Sequence, residues 1–177
     1  MEHTCHYISP LGGLTASSDG SALTGLWFDD QKYFAHTLES EHKELTDDIL
    51  EETVRWLDIY FSGKVPDFTP PLCMKGSSFR QRVWEILLAI PYGRTMTYAQ
   101  IAGIIAKERG IPKMSAQAVG GAVGHNSISL IIPCHRVIGS DGTLTGYAGG
   151  IDKKAWLLKH EGILFSLKHP EDADYFA

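Results

Sequence analysis

Short apolar and β-branched runs open the chain: Tyr7 to Ser9, Gly13 to Ala16 and Leu23 to Phe28, separated by Pro10-Leu11-Gly12-Gly13 and Ser18-Asp19-Gly20. Runs of this length bounded by turn residues predict the strands of a small antiparallel sheet joined by hairpins. The period then changes. Leu50, Val54, Leu57 and Tyr60 or Phe61 recur at helical spacing behind a set of acids, which predicts a helix over about 47–61 with its acids at the positive end of the macrodipole. Residues 63–75 hold Pro66, Pro70 and Pro71 and no long apolar run, so a linker and a domain boundary are expected there.

Beyond the linker the pattern is helical. Ser78-Phe79-Arg80-Gln81 has the form of a capping box and opens a helix with Val83, Trp84, Leu87 and Leu88 on its apolar side, ended by Pro91-Tyr92-Gly93. Thr97-Tyr98-Ala99-Gln100 is a second capping box, opening a helix that carries Ile101, Ile104 and Ile105 until Gly110 and Pro112 break it. Ser115 can cap a third helix running to Val123. Such a pair of short helices is the material of a helix-turn-helix. The third helix has no aromatic or long apolar side chain over 116–122, and Gly120-Gly121 costs it about 1 kcal/mol per glycine relative to alanine. A helix built this way requires close approach, either to another helix or to a nucleic-acid backbone. A last helix is expected over 152–161, with Gly162 as its C-cap and Glu161 opposing the macrodipole in its last turn, a cost that asks for a partner.

Composition narrows the class. The chain has 177 residues and 44% hydrophobic content, enough for one compact unit or two small domains. No apolar run is long enough to span a bilayer and no signal-peptide pattern opens the chain, so a soluble intracellular protein is expected. Cys5, Cys73 and Cys134 are an odd count without close pairing, which fits a reducing compartment such as the cytoplasm. His3, Cys5 and His6 lack a second paired cluster, so no metal is expected. The net charge of −5 is unevenly placed: residues 1–74 hold 4 Lys/Arg against 13 Asp/Glu, a net of −9, whereas residues 75–167 hold 11 against 5, a net of +6. That asymmetry suits a nucleic-acid face on the second part, or simply solvated surface charge.

Candidate chemistry centres on Ile131-Ile132-Pro133-Cys134-His135-Arg136-Val137-Ile138. Apolar flanks bury the thiol, and burial alone makes a cysteine inert, so reactivity requires that cationic neighbours or a base outweigh desolvation. Pro133 removes a backbone donor and suits a turn rather than a strand interior, and a turn is needed to bring His135 to the face of Cys134.

This octapeptide resembles the active-site motif of the O6-alkylguanine-DNA alkyltransferases. The resemblance runs from about Ser78 to Gly162 through Tyr92-Gly93, Thr97-Tyr98-Ala99-Gln100, Ala118-Val119-Gly120-Gly121-Ala122, Asn126, Gly146-Tyr147-Ala148-Gly149-Gly150 and Trp156-Leu157-Leu158-Lys159-His160-Glu161-Gly162. It implies an α+β fold: a small N-terminal α/β domain over 1–74 with an antiparallel, ribonuclease H-like sheet, a mainly helical C-terminal domain over 75–167 with a helix-turn-helix, and an acidic tail over 168–177. It also implies direct-reversal repair. An alkyl group passes irreversibly from O6-alkylguanine in double-stranded DNA, with O4-alkylthymine a further candidate, to Cys134 after base flipping, in one turnover, with no cofactor and in a monomer.

The family's roles fall on particular residues. Cys134 is the nucleophile, His135 its base, Glu161 the group that orients His135, and Asn126 the residue joining the recognition helix to the active-site strand. Tyr98, Val137, Tyr147 and Ala148 line the base pocket, and Ser129 stands where some members have proline. Thr97, Tyr98, Ser115, Gln117, Ala118, Gly120 and Gly121 face DNA, the helix from Ser115 to Val123 entering the minor groove. Gln117 occupies the place of the family's usual arginine finger and lacks its charge and planar guanidinium. A longer turn, Ala106 to Lys113, offers Lys107, Arg109 and Lys113 to phosphates. Arg136 is expected to bridge the domains. Two other readings stand beside this one. A lesion-binding protein similar to the alkyltransferase-like proteins would lack the reactive cysteine, and a thiol hydrolase would need an oxyanion hole that no motif here identifies.

Overall fold

A computed structural model describes residues 1–165. The chain forms two units: unit 1 comprises Met1–Gly76 and Ser127–Ile131, and unit 2 comprises Ser77–Asn126 and, among the described residues, 132–165. The expected acidic tail, 168–177, lies outside the described residues. No helix among them is long and apolar enough to cross a membrane.

Unit 1 is a four-stranded sheet with one helix. Strands β1 (Glu2–Ser9), β2 (Gly12–Ser18), β3 (Leu23–Phe28) and β4 (His42–Glu44) lie in the order β3-β2-β1-β4. The first three are antiparallel hairpin neighbours, as the turn residues predict, and β1 begins five residues earlier than its apolar run. The short β4, parallel to β1, has no apolar residue and is exposed throughout, so no hydrophobic period announces it. Cys5, Leu14, Ala16, Leu26 and Phe28 form one buried face, against which α1 (Asp48–Phe61) sets Leu50, Leu57 and Tyr60. Asp47 caps α1 by accepting from Leu50 N at 2.9 Å. The outer edge of β3 is closed within the unit by Leu72 and Ile128, so the segment Ser127–Ile131 belongs to this sheet although its sequence neighbours do not.

Unit 2 is helical. Helices α2 (Ser78–Leu88), α3 (Tyr98–Arg109) and α4 (Ala116–Gly124) pack on one another, with Trp84 Nε1 of α2 donating to Ala122 O of α4 at 2.9 Å. Ser77, one residue before the expected cap, accepts from Arg80 N, so the residue read as a cap is the first of the helix. The capping box at α3 forms in full, Thr97 Oγ1 accepting from Gln100 N and Thr97 N donating to Gln100 Oε1. The first half of the stretch expected as a longer turn is helix: α3 continues to Arg109 and ends where Gly110, at φ 64°, supplies the left-handed C-cap. Strand β5 (Met96–Thr97) pairs in parallel with β6 (Val137–Ile138), and α5 (Ile151–His160) packs Ala155 and Leu158 against Ile138 and Leu144. Its C-cap is Glu161.

Candidate active site

Cys134 opens a single turn of 3₁₀ helix, Cys134–Arg136, entered from Pro133 and left into β6. A turn at this point is what Pro133 favours, and it buries Cys134, His135 and Arg136 together. The turn follows the excursion Ser127–Ile131 into unit 1. Asn126 and Ile132 mark its two ends, and Asn126 Nδ2 donates to Ile132 O at 2.9 Å, which pins the exit of the chain to its return. Leu130 within the excursion takes φ 71°, a left-handed backbone that a branched side chain adopts only when its surroundings impose it.

Glu161 ties the turn to α5. Its Oε2 accepts from His135 Nε2 at 2.5 Å, and its Oε1 accepts from Arg136 Nε at 2.8 Å and Gly93 N at 3.1 Å. Burial raises the carboxyl, but the hydrogen bonds and charges of His135 and Arg136 outweigh it and hold Glu161 at about 2. The partner that a carboxylate at this helix end requires is thus present twice. Arg136 also donates to Ile90 O at 2.8 Å and lies over the Tyr92 ring. These partners all belong to unit 2, within which Arg136 anchors the turn.

Burial lowers the imidazole of His135, assisted by the Arg136 and Lys154 charges and opposed by Glu161. The ring is therefore neutral near pH 7. A neutral ring that donates from Nε2 to a carboxylate presents Nδ1 as an acceptor, the form a general base needs. Burial raises the Cys134 thiol, while the Asn126 amide, the Lys154 charge, its own backbone N–H and Tyr147 act in the opposite direction.

Lys154 is the residue that sequence reasoning missed. It is fully buried on α5, and its Nζ donates to Thr145 O and Gly146 O at 3.1 Å each and lies 5.7 Å from the Tyr98 ring centroid. Burial lowers the amine to about 8, with Cys134 opposing. A signal was present: Lys154 falls three residues after Ile151 and four before Leu158, on the apolar face of α5, where a lysine has to be explained.

Of the other expected residues, Tyr98 and Tyr147 come to the same place. Tyr98 Oη donates to Thr145 O at 3.1 Å, and Tyr147 neighbours the Cys134 sulfur. Val137 is fully buried on β6, and Ala148 is half-buried between Tyr147 and Gly150. Ser129 is buried in unit 1, where its hydroxyl donates to Gln31 Oε1. The remainder lie on α4 and at the N-caps of α3 and α4. Ser115 is occupied as N-cap, accepting from Ala118 N at 3.3 Å, and Thr97 as the cap of α3. Ala116, Gln117, Ala118 and Gly121 are exposed, a methyl group at Gly121 would meet nothing within 4 Å, and one at Gly120 would make an ordinary contact with the Tyr98 ring. Packing inside the described residues therefore gives no reason for Gly121.

Two family models match the chain, that of the 6-O-methylguanine DNA methyltransferase ribonuclease-like domain over residues 5–74 and that of the DNA-binding domain of the same protein over residues 78–163. A methylated-DNA–protein-cysteine methyltransferase of Mycobacterium tuberculosis is 45% identical over 155 residues, covering 86% of this chain and 88% of its own. One of Haemophilus influenzae is 38% identical over 168 residues, covering 94% and 90%. The crystal structure of Mycobacterium tuberculosis OGT in complex with DNA is similar at a TM-score of 0.76, with 42% identity over 90% of this chain and 92% of that one. The chain belongs to the 6-O-methylguanine DNA methyltransferase family.

Proposed function

We propose that this protein repairs alkylated double-stranded DNA by direct reversal, moving the alkyl group of O6-alkylguanine to its own Cys134 and acting once. O4-alkylthymine, with its alkyl group on a comparable exocyclic oxygen, is a second candidate lesion. The observation that carries the reading is the setting of Cys134: a buried thiol with donors and a cation around it, followed in the same turn by a buried histidine held by a carboxylate.

An alkyl group on O6 lies in the pairing region of a stacked duplex, so the nucleotide is extruded before a buried thiol can reach it, at a cost of a few kcal/mol that is least for a damaged pair. Tyr98, Val137, Tyr147 and Ala148 receive the base. His135 takes the Cys134 proton, directly or through a water, while Glu161 holds its tautomer and Asn126 holds the turn. The sulfur attacks the alkyl carbon as the C–O6 bond breaks, and the electron pair left on guanine takes up the proton, so the transfer balances without a cofactor. No group here hydrolyses the resulting thioether. Exposed small residues on α4 suit a groove-entering helix, and the net of +6 over 75–167 suits a polyanion. Lys107, Arg109 and Lys113 are offered to phosphates, and Gln117 serves as the wedge in the vacated stack. We place the protein in the cytoplasm as a monomer.

The test is intact mass and peptide mapping after mixing with duplex carrying one O6-methylguanine. A gain of one methylene on the Cys134 peptide, absent in Cys134→Ala, with the DNA restored to guanine, is expected. Tight lesion-selective binding without a mass gain would make the protein a damage sensor, and release of free product over many turnovers would make it a hydrolase. For the wedge, Gln117→Arg is expected to raise duplex affinity or the repair rate, and no change in either would show that this position is not limiting.

A further inference from the structure

The phenol oxygen of Tyr147 is buried and makes no hydrogen bond of ordinary geometry among the described residues. Buried tyrosine hydroxyls ordinarily find one. The phenol neighbours the Cys134 sulfur, and the Glu161 carboxylate acts on the phenol in the same direction as Cys134. The backbone behind it is fixed, with Gly150 N donating to Tyr147 O at 2.9 Å and Lys154 Nζ holding the two preceding carbonyls. The other donors near the sulfur carry obligations: Asn126 gives an amide N–H to Ile132 O, and Lys154 gives two N–H groups to Thr145 O and Gly146 O.

We propose that Tyr147 is a catalytic residue whose phenol donates a hydrogen bond to Cys134 Sγ and stabilises the attacking thiolate, in addition to walling the pocket. The proposal rests on the alkyl-transfer reading above. Burial and the Cys134 charge push the Tyr147 phenol well above its ordinary value, so it stays protonated while Cys134 ionises and serves as donor, never as base. In the transfer step the thiol proton passes to His135 and on to guanine, the sulfur lone pair forms the S–C bond as C–O6 breaks, and Tyr147 keeps its own proton. A hydrogen bond to the thiolate also blunts it. Each unit by which the donor lowers the thiol raises the thiolate fraction up to about tenfold and weakens the thiolate about threefold, so below the thiol pKa the donor gives a net gain, and above it a net loss.

This predicts a crossover. Tyr147→Phe keeps the ring and removes the donor. Single-turnover methyl transfer from an O6-methylguanine duplex is expected to fall roughly 3- to 10-fold at neutral pH and to equal or exceed wild type at alkaline pH, the profile moving up by about one to two units. Ultraviolet titration of the thiolate, with Cys134→Ala as blank, should show the same displacement. An unchanged titration, or slowing by one factor at every pH, would reduce Tyr147 to a wall. Replacing tyrosine by 3-fluorotyrosine, a stronger donor, should move the thiolate titration down, and supplies the test if the Phe variant does not fold. Failure of wild type to transfer methyl would overturn the repair reading instead, while the titration would still decide the hydrogen bond.

Discussion

Cys5 in the sheet of unit 1 and Cys134 in unit 2 are shielded to nearly the same degree, 8% and 5% exposed. Burial is the largest influence on both, and it raises both thiols. Their neighbours differ in sign. Asp47 and Glu44 stand near Cys5 and push it further, to about 11, whereas Asn126, Lys154 and Tyr147 pull Cys134 the other way. Packing therefore raises the thiol in both units, and the neighbouring groups differ in direction, adding to the rise at Cys5 and offsetting part of it at Cys134. Each unit as a whole repeats the contrast. Unit 1 settles its buried Glu2 with the half-buried Lys75 at 2.6 Å, but unit 2 commits His135, Arg136, Lys154 and Glu161 to its interior, an expense a fold bears where chemistry requires it.

Replacing each thiol breaks the comparison most directly. Cys134→Ala is expected to abolish alkyl transfer, while Cys5→Ala leaves its rate unchanged and lowers stability by about 1 kcal/mol, measured by single-turnover kinetics and denaturant unfolding. Removing the carboxylate should come next. Glu161→Gln leaves Arg136 buried without its counter-charge and His135 without its anchor, and is expected to slow transfer by on the order of 100-fold and to cost roughly 3–5 kcal/mol. The sign of its pH dependence follows from Glu161 being held at about 2 against an ordinary 4.5. Its contribution to stability is complete above 4.5 and is lost as pH falls toward 2, so the wild type should lose part of its advantage over the variant across that window. A smaller effect is expected for Lys154→Met, which removes the cation while preserving much of the volume. Transfer at neutral pH should slow by roughly 3-fold, through a thiol titration displaced upward by about one unit. Mildest is pH itself. Because burial keeps His135 below its ordinary value, protonation of this base should cut wild-type transfer only on the acid side of 6.5, beneath the rise toward alkaline pH that the Cys134 thiol imposes, read from a single-turnover pH profile.

Much of this arrangement was legible where local chemistry decides structure. Asp47, Thr97 with Gln100, and Ser115 cap the helices that their spacing predicts, and Leu23 to Phe28 forms the strand that its composition predicts. Errors fall where two local signals compete or where distant partners decide. Ser77 and Ser78 are both capping residues, and Gln81 completes a motif with the one that does not cap. β4 is His-Lys-Glu, held by the backbone of β1 with no hydrophobic face of its own. Ser127–Ile131 looks like the approach to the Cys134 motif, yet it belongs to the sheet of unit 1, through the pairing of Leu26 with Ile128 and the bond from Ser129 to Gln31. In the site, the motif located Cys134, and its ordered neighbours located His135, Asn126 and Glu161. Lys154 was passed over because a lysine is ordinarily a surface residue, and only its register on α5 distinguishes it. The backbone partners of the Arg136 and Glu161 pair carry no side-chain signal in the sequence: Ile90 O accepts from Arg136, and Gly93 N donates to Glu161.

The central claim is that neighbouring charge, not exposure, separates the two buried cysteines. Peptide-resolved labelling of the native protein by a small uncharged alkylating reagent, followed for Cys134 and Cys5 from neutral to mildly alkaline pH, tests it without DNA. Faster labelling of Cys134 throughout, with most of the difference erased in Lys154→Met, is the expected result. Equal rates with the same pH dependence at both cysteines would contradict the account.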